Sequence, residues 1–364
     1  MKILHCADLH LDSPIKGLNS SEKSKIRRAE LRETFYKILN FAAQKEVDAV
    51  LIAGDLFDNA DASFSTLEFL KGAMEEKKDI RFFISPGNHD YYGGEFSYAK
   101  INMPKNVHVF KDEIEKIELS PGINIYGFGF FSDTQKKSLL KGFRAEDVND
   151  INIMLMHADL FRGEHYNPIT KQEIEMSGLS YIALGHIHKY SGMQKAGKTY
   201  YAYPGIPEPR GFDEEGDKGF LLLDIEKDLF EYEFVSLQKR KMRVVDIDIS
   251  AIKSIENIVE EIREKITDSK DLYKIILSGE NNAGAIDCAV ISALVCENAF
   301  FVKLEDNSKE NIDYEKEALS MSLKGRFTKR MLERMGEGRE NEEVLKLALK
   351  YGYLSLLGEK VDKK

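Results

Sequence analysis

Long apolar runs are missing from this chain of 364 residues. None approaches the roughly 18 residues that a membrane-spanning helix needs. Cysteine is scarce: Cys6, Cys288 and Cys296 are scattered, so neither a disulfide framework nor a thiolate metal site is expected. A reduced, cytoplasmic protein is the simplest account. An excess of positive charge is also missing, with 52 Lys and Arg against 62 Asp and Glu and a net charge of −10. That balance argues against non-specific nucleic-acid binding, which runs on phosphate neutralisation. It does not forbid a nucleic-acid substrate, because acidic metal ligands are cancelled by their cations. The N-terminus, MKILHCADLH, meets His5 and Asp8 at once and reads as a first strand, not a signal peptide. No internal repeat or low-complexity tract is present.

What is there begins with alternation. Residues 2–7 form an apolar strand. A polar, mixed-charge stretch from Ser13 to about Arg32 precedes a helical pattern of Leu31, Phe35, Ile38, Leu39 and Ala42. Ala49–Ala53 is a second strand, Ser65–Glu76 a helix and Arg81–Ser85 a third strand. This β-α-β-α-β order implies a parallel sheet. Val107–Phe110, Ile114–Leu119 and Ile123–Gly127 read as a meander, and strands Ile151–Met156 and Ser180–Leu184 follow. Thr199–Tyr203, Gly219–Ile225 and Phe230–Leu237 read as successive antiparallel strands. The expectation is an α/β (α+β) class, with two sheets between helices in a four-layer α/β/β/α sandwich over residues 1–240. The basic linker Gln238–Lys241 leads into a small βαβαβ domain over 241–310, then helices over 311–364. In that tail Leu319, Leu323, Phe327 and Met331 are expected on one helical face, ended by Gly336 and Gly338. Val344, Leu347, Ala348 and Tyr351 are expected on the face of the next helix.

Chemistry-bearing residues recur at the strand ends. Asp8 and His10 close the first strand, two apart, so both side chains can point one way. Gly54-Asp55 and Asp58 follow the second, and Gly87-Asn88-His89-Asp90 the third. His157 and then Gly185-His186-Ile187-His188 complete the series. Carboxylate, imidazole and amide oxygen together suit Mn²⁺, Fe²⁺ or Zn²⁺. Any one of these residues is as readily a cap or a surface group. Five motifs in order, each at a strand end, point to a metal centre, since an apolar core has no use for so many His and Asp.

The series DxH, GDxxD, GNHD, H and GHxH resembles the calcineurin-like metallophosphoesterases over about residues 1–240. The opening HCADLHLDSP, the later YPGIPEPRGFDEEGDKGF and the small domain with a helical tail resemble the SbcD-type DNA repair exonucleases. The opening is most similar to their YhaO branch. The resemblance implies two divalent metal ions, Mn²⁺ foremost, with Fe²⁺, Zn²⁺ or Mg²⁺ as alternatives. It implies one metal on Asp8, His10, Asp55 and His188, and the other on Asp55, Asn88, His157 and His186. Asp55 would bridge, since an anionic bridge offsets the repulsion of cations roughly 3.5–4 Å apart. His89 is assigned to the phosphodiester, stabilising the transition state or protonating the leaving oxygen. It needs an orienting partner. Asp58 is the candidate, with Asp90 as an alternative or a simple turn cap. Archaeal and eukaryotic double-strand-break nucleases tend to carry His at the position of Asp58, so the chain departs from that branch.

The resemblance further implies DNA as substrate and an SbcC-like ABC-type ATPase docked on the C-terminal helices. Residues 241–310 would then cap the active-site groove and help select DNA, and a homodimer is a further expectation. The basic run Lys324, Arg326, Lys329, Arg330 and Arg334 suits such docking, and equally an amphipathic helix folded on its own domain. Arg27, Arg28, Arg162, Lys189 and Arg210 lie near the motifs as phosphate contacts or as solvated charges. His5 reads as a packed strand residue and His108 as a surface one. His165 follows ligand His157 in a loop and reads as a surface residue or a substrate contact. Two other functions fit less of the chain: a phosphodiesterase for a small nucleotide or other diester, favoured by the negative charge, and a DNA-end scaffold with weak catalysis.

Overall fold

A computed structural model describes residues 1–13, 18, 20–58, 63–93, 98, 102–160, 165–226, 229–310, 313–338 and 341–357. Arg162 lies outside them. The strands are β1 (Lys2–Cys6), β2 (Ala49–Ile52), β3 (Arg81–Ile84), β4 (Val107–Val109), β5 (Glu115–Ser120), β6 (Ile123–Gly127), β7 (Ile151–His157), β8 (Tyr181–Gly185), β9 (Gln194–Ala196), β10 (Thr199–Ala202), β11 (Gly219–Ile225) and β12 (Phe230–Ser236). Among them run helices α1 (Ser21–Gln44), α2 (Phe64–Glu75) and α3 (Lys171–Met176). Further on come β13 (Met242–Asp248), α4 (Ile255–Lys265), β14 (Leu272–Ser278), β15 (Glu280–Asn281), α5 (Cys288–Val295), β16 (Phe301–Asp306), β17 (Lys309–Glu310), α6 (Tyr314–Glu317), α7 (Leu323–Gly336) and α8 (Glu342–Leu357).

Two six-stranded sheets are ordered β12-β11-β1-β2-β3-β4 and β5-β6-β7-β8-β10-β9. Alternation along each strand sends neighbouring side chains to opposite faces. Ile3, Leu51 and Phe83 of the first sheet meet Ile125, Ile153, Leu155 and Ala183 of the second in one core. Leu4, Val50, Ile52 and Phe82 face the other way and pack on Phe35, Ile38 and Leu39 of α1 and Leu67 and Leu70 of α2. Met154, Met156, Ile182 and Leu184 form the outer core of the second sheet with Ile174 of α3. The four-layer α/β/β/α sandwich is thus the observed architecture.

Strand partnership differs from the sequence reading at two places. β4 is not part of a meander: it pairs parallel with β3. β10 and β11 are not neighbours: β10 lies parallel to β8 in the second sheet, while the hairpin β11–β12 runs antiparallel to β1 in the first. Pairing across crossovers is decided by which two faces must be buried, and proximity in sequence does not encode it. The helix α1 also begins earlier than its apolar pattern, at Ser21, with Ser20 accepting a hydrogen bond from the Lys23 N–H. Its first half buries Arg27 and Glu30, an ion pair at 2.7 Å, in place of apolar residues, so the hydrophobic period starts only at Leu31.

The described residues divide into two compact units, one of 1–245, 266–274 and 296–303, the other of 246–265, 275–295 and 304–364. Beyond the linker, β13, β14 and β16 form a three-stranded sheet in that order, and β15 pairs with β17. In the second unit Met331, Leu345 and Leu349 make a small core between α7 and α8. Leu319 and Leu323 are exposed, not buried with Met331 as their spacing suggested. The buried face of α8 is Leu345, Leu349 and Tyr353, whereas Val344, Leu347 and Tyr351 are exposed. Apolar residues occupy more than half of this helix circumference, so spacing alone does not select the face. Among the described residues no helix is long and apolar enough to cross a membrane.

Candidate metal centre

The C-terminal ends of β1, β2, β3, β7 and β8 converge, as open parallel sheets place their ligands. Tight backbone turns aim the side chains. Asp8, His10, Asp55 and His186 have φ of 53°, 44°, 49° and 111°, values that L-residues adopt at a cost. Gly54, at φ 87°, could not carry a side chain: a Cβ there would overlap the His157 ring, and one on Gly87 would overlap Asp55 Oδ1. Asp90 fixes these loops together. Its buried carboxylate accepts hydrogen bonds from the N–H groups of Asp55 (3.1 Å), Leu56 (2.8 Å) and Gly87 (2.6 Å) and from the Tyr98 hydroxyl (2.9 Å).

Two groups of donors share one carboxylate. Asp55 Oδ2 lies 3.8 Å from His10 Nε2 and 3.5 Å from His157 Nε2. On one side His10 Nε2 is 3.2 Å from His188 Nε2, and the liganding atoms of Asp8, His10 and His188 lie within 4.8 Å of one another. On the other, His157 Nε2 is 3.0 Å from Asn88 Oδ1, and the His186 ring stands edge-on to His157 with centroids 5.1 Å apart. The His186 N–H donates to both oxygens of Asp8 at 3.1 Å.

The proton positions test whether cations fit here. His188 Nδ1 is 2.7 Å from Glu214 Oε1, and His157 Nδ1 is 3.0 Å from the Ala53 carbonyl. Both partners only accept, so each favours the Nδ1–H tautomer, which turns a bare Nε2 toward the site; the 3.0 Å approach of His157 Nε2 to Asn88 Oδ1, two acceptors, then calls for a cation between them. His10 Nδ1 approaches Asp58 Oδ1 at 3.0 Å, at an angle short of a formal hydrogen bond, and the carboxylate favours the proton there too. Two bare Nε2 atoms 3.2 Å apart repel unless a cation lies between them. For ligand bonds of about 2.1 Å, tetrahedral neighbours sit roughly 3.4 Å apart, so the spacing is that of a ligand pair.

Titration agrees. Burial lowers His10 to about 4, and burial followed by neighbouring His157 lowers His186 to about 4. Burial also lowers His157. Neutral imidazole is the ligating form. Burial and then the charge of Asp55 push the Asp8 carboxyl well up and that of Asp90 to about 6. Burial would raise Asp55 as well, but His157, His10 and His89 outweigh it and hold it at about 2. Buried carboxyls crowded in this way are relieved by bound cations. The residues present therefore fit two divalent metals.

His89 is exposed, and its Nδ1 is 2.8 Å from the main-chain carbonyl of Asp58. This corrects the expected pairing with the Asp58 side chain. That carboxylate instead meets His10 and, at 2.6 Å, the Arg210 guanidinium. A carbonyl fixes the His89 tautomer as well as a carboxylate would, and sequence shows only side chains. Asp90 is no partner of His89 either; it ties the loops. Arg27 is wholly buried on Glu30 and Glu208, with no solvent face for a phosphate. His5 is buried, with Nδ1 2.8 Å from the Tyr181 hydroxyl, and His108 faces Glu115 at 3.1 Å. Neither Glu214 nor the ion-pairing role of Arg210 is legible in the segment YPGIPEPRGFDEEGDKGF that holds both.

Sheet-end carboxylates and imidazoles of this kind, on an α/β/β/α sandwich, define a metal-dependent phosphoesterase. The chain belongs to the calcineurin-like phosphoesterase family, whose model matches residues 1–190. That family works with two divalent metals, and the protein is a metallophosphoesterase hydrolase. It is 30% identical over 277 residues to the uncharacterized metallophosphoesterase YhaO of Bacillus subtilis, covering 72% of this chain and 67% of that one. It is 26% identical to the DNA double-strand break repair protein Mre11 of Saccharolobus solfataricus, covering 77% and 76%. It is 24% identical to a subunit of the nuclease SbcCD from Staphylococcus epidermidis, covering 76% and 79%.

Proposed function

We propose that the protein is a two-metal phosphodiesterase that cleaves DNA, the nuclease subunit of an SbcCD-like repair complex. One observation carries the metal reading: Asp55 Oδ2 sits between bare imidazole nitrogens of two donor groups, at 3.8 and 3.5 Å. Asp8, His10, Asp55 and His188 would hold one cation, and Asp55, Asn88, His157 and His186 the other. When bound, such ions lower the pKa of a water and neutralise charge on the phosphate. His89, its Nδ1–H donated to the Asp58 carbonyl, exchanges a proton with the phosphodiester through Nε2. Mn²⁺ suits the mixed O and N donor set, with Fe²⁺ and Zn²⁺ as alternatives.

The DNA substrate is supported by the repair and nuclease relatives. An ABC-type ATPase partner is supported by α7 and α8, which expose Leu323, Val344, Leu347 and Tyr351 and of which α7 carries the basic run from Lys324 to Arg334. Cleavage of single- and double-stranded DNA with Mn²⁺, with and without the ATPase, tests the reading. Activity that survives Asp55→Asn would refute the site. The net charge of −10 favours one other reading, a small-diester phosphodiesterase. Hydrolysis of bis-p-nitrophenyl phosphate with no DNA cleavage, partner included, would establish that instead.

A further inference from the structure

The ligands differ in what holds them. His157 is anchored by main chain, its Nδ1–H on the Ala53 carbonyl at 3.0 Å. His188 and His10 are held by side chains, Glu214 at 2.7 Å and Asp58 at 3.0 Å. Both of those carboxylates meet on Arg210. Its Nη1 lies 2.6 Å from Asp58 Oδ1 and 3.3 Å from the Ser13 hydroxyl, and its Nη2 lies 3.8 Å from Glu214 Oε1. Its own N–H donates to Glu214 Oε2 at 2.7 Å. With His10 Nε2 3.2 Å from His188 Nε2, the five side chains close a ring. The segment bearing Arg210 is itself fixed two residues earlier. Buried Glu208 accepts from Arg27 Nη2 and from the Thr34 hydroxyl, each at 3.0 Å.

We propose that Arg210 and Glu214 are positioning residues for one cation alone, that of His10 and His188. This rests on the two-metal reading. Without the Glu214 carboxylate, the proton of His188 is free to move to Nε2 and block the ligating lone pair. Without the guanidinium, Asp58 and Glu214 are left as two like charges flanking the histidines they orient. The Ala53 carbonyl is untouched by either change, so the cation on His157 keeps its grip.

Calorimetric titration of the metal-stripped, full-length protein with MnCl₂ reads this directly. Wild-type protein takes up two equivalents. In Glu214→Gln and Arg210→Met, one equivalent keeps its Kd and the other weakens about 10–100-fold, the usual cost of losing an outer partner of a ligand. His157→Asn weakens the opposite equivalent. Glu214→Asp, which retains the carboxylate and guards against a folding defect in the Gln variant, recovers most of the affinity. Electron paramagnetic resonance gives a second readout: a spin-coupled Mn²⁺ pair in wild type and an isolated ion in Glu214→Gln. Equal weakening of both equivalents, no weakening, or a Glu214→Asp variant as poor as Glu214→Gln would each overturn the assignment. Wild-type protein that binds fewer than two equivalents would instead refute the two-metal reading, and this inference with it.

Discussion

Around the candidate metal ligands, Asp8, His10, Asp12, Asp55 and His186 all adopt positive φ; among the described residues of α7 and α8, no residue with a side chain does. The strand-end loops break local backbone rules and bury polar groups. The helices keep the backbone rules, with Ser322 capping α7, and leave apolar groups in solvent. Each strained residue costs roughly 1–3 kcal/mol and persists only where its surroundings over-determine it. Asp90, which accepts from four main-chain N–H groups of the two loops and from the Tyr98 hydroxyl, supplies that constraint. Among the described residues of α7 and α8 the large apolar side chains that are buried are Met331, Leu345, Leu349 and Tyr353. The two regions depart from an ordinary fold in opposite ways: the first by polar burial, the second by apolar exposure.

The largest expected effect breaks the comparison at its stronger end. Asp55→Asn removes the shared carboxylate, and phosphodiesterase activity should fall on the order of 10³-fold, with both metal equivalents weakened. Retention of one intact equivalent would show that Asp55 does not bridge. His89→Ala should leave both metals bound and lower kcat about 100-fold, a split read by metal analysis beside steady-state rates. Asp58→Ala separates side chain from main chain. The carbonyl that orients His89 remains, so the variant should lose about 10-fold in metal affinity while its pH–rate profile keeps its shape.

The helices are tested by contrast within one element. Leu349→Ala should destabilise the folded chain by about 2–5 kcal/mol in denaturant melts. Leu347→Asp, on the exposed face, should shift stability by less than about 0.5 kcal/mol while abolishing co-purification with the proposed ATPase partner. Equal destabilisation by both would mean the exposed face is covered within this chain. The remaining prediction concerns His5. Burial lowers it to about 3, far below its ordinary value of 6.5. The unfolded chain therefore binds a proton that the folded chain refuses. Stability is full above pH 6.5 and falls by about 1.4 kcal/mol per pH unit as pH drops from there toward 3. His5→Leu should flatten the acid limb of urea-melt stability by one proton.

The residues that gather at the strand ends were legible because their types are rare and their positions local. Eight histidines are present, and His10, His89, His157, His186 and His188 all follow apolar strands. The supporting groups were not legible. Glu214 reaches His188 from 26 residues away, one acid among 62. The partner of His89 is a main-chain carbonyl, which every residue has. The layers followed from the order and count of strands and helices, but the sheet membership of β4, β10 and β11 depends on crossovers that no local pattern records. In α8 the apolar residues cover two faces, and only packing against α7 chose Leu345 and Leu349.

Anomalous scattering from crystals soaked in Mn²⁺ tests the central claim most directly. Two peaks about 3.5–4 Å apart, both adjoining Asp55 Oδ2, are the predicted result. A single peak, or two peaks that do not share Asp55, would contradict it.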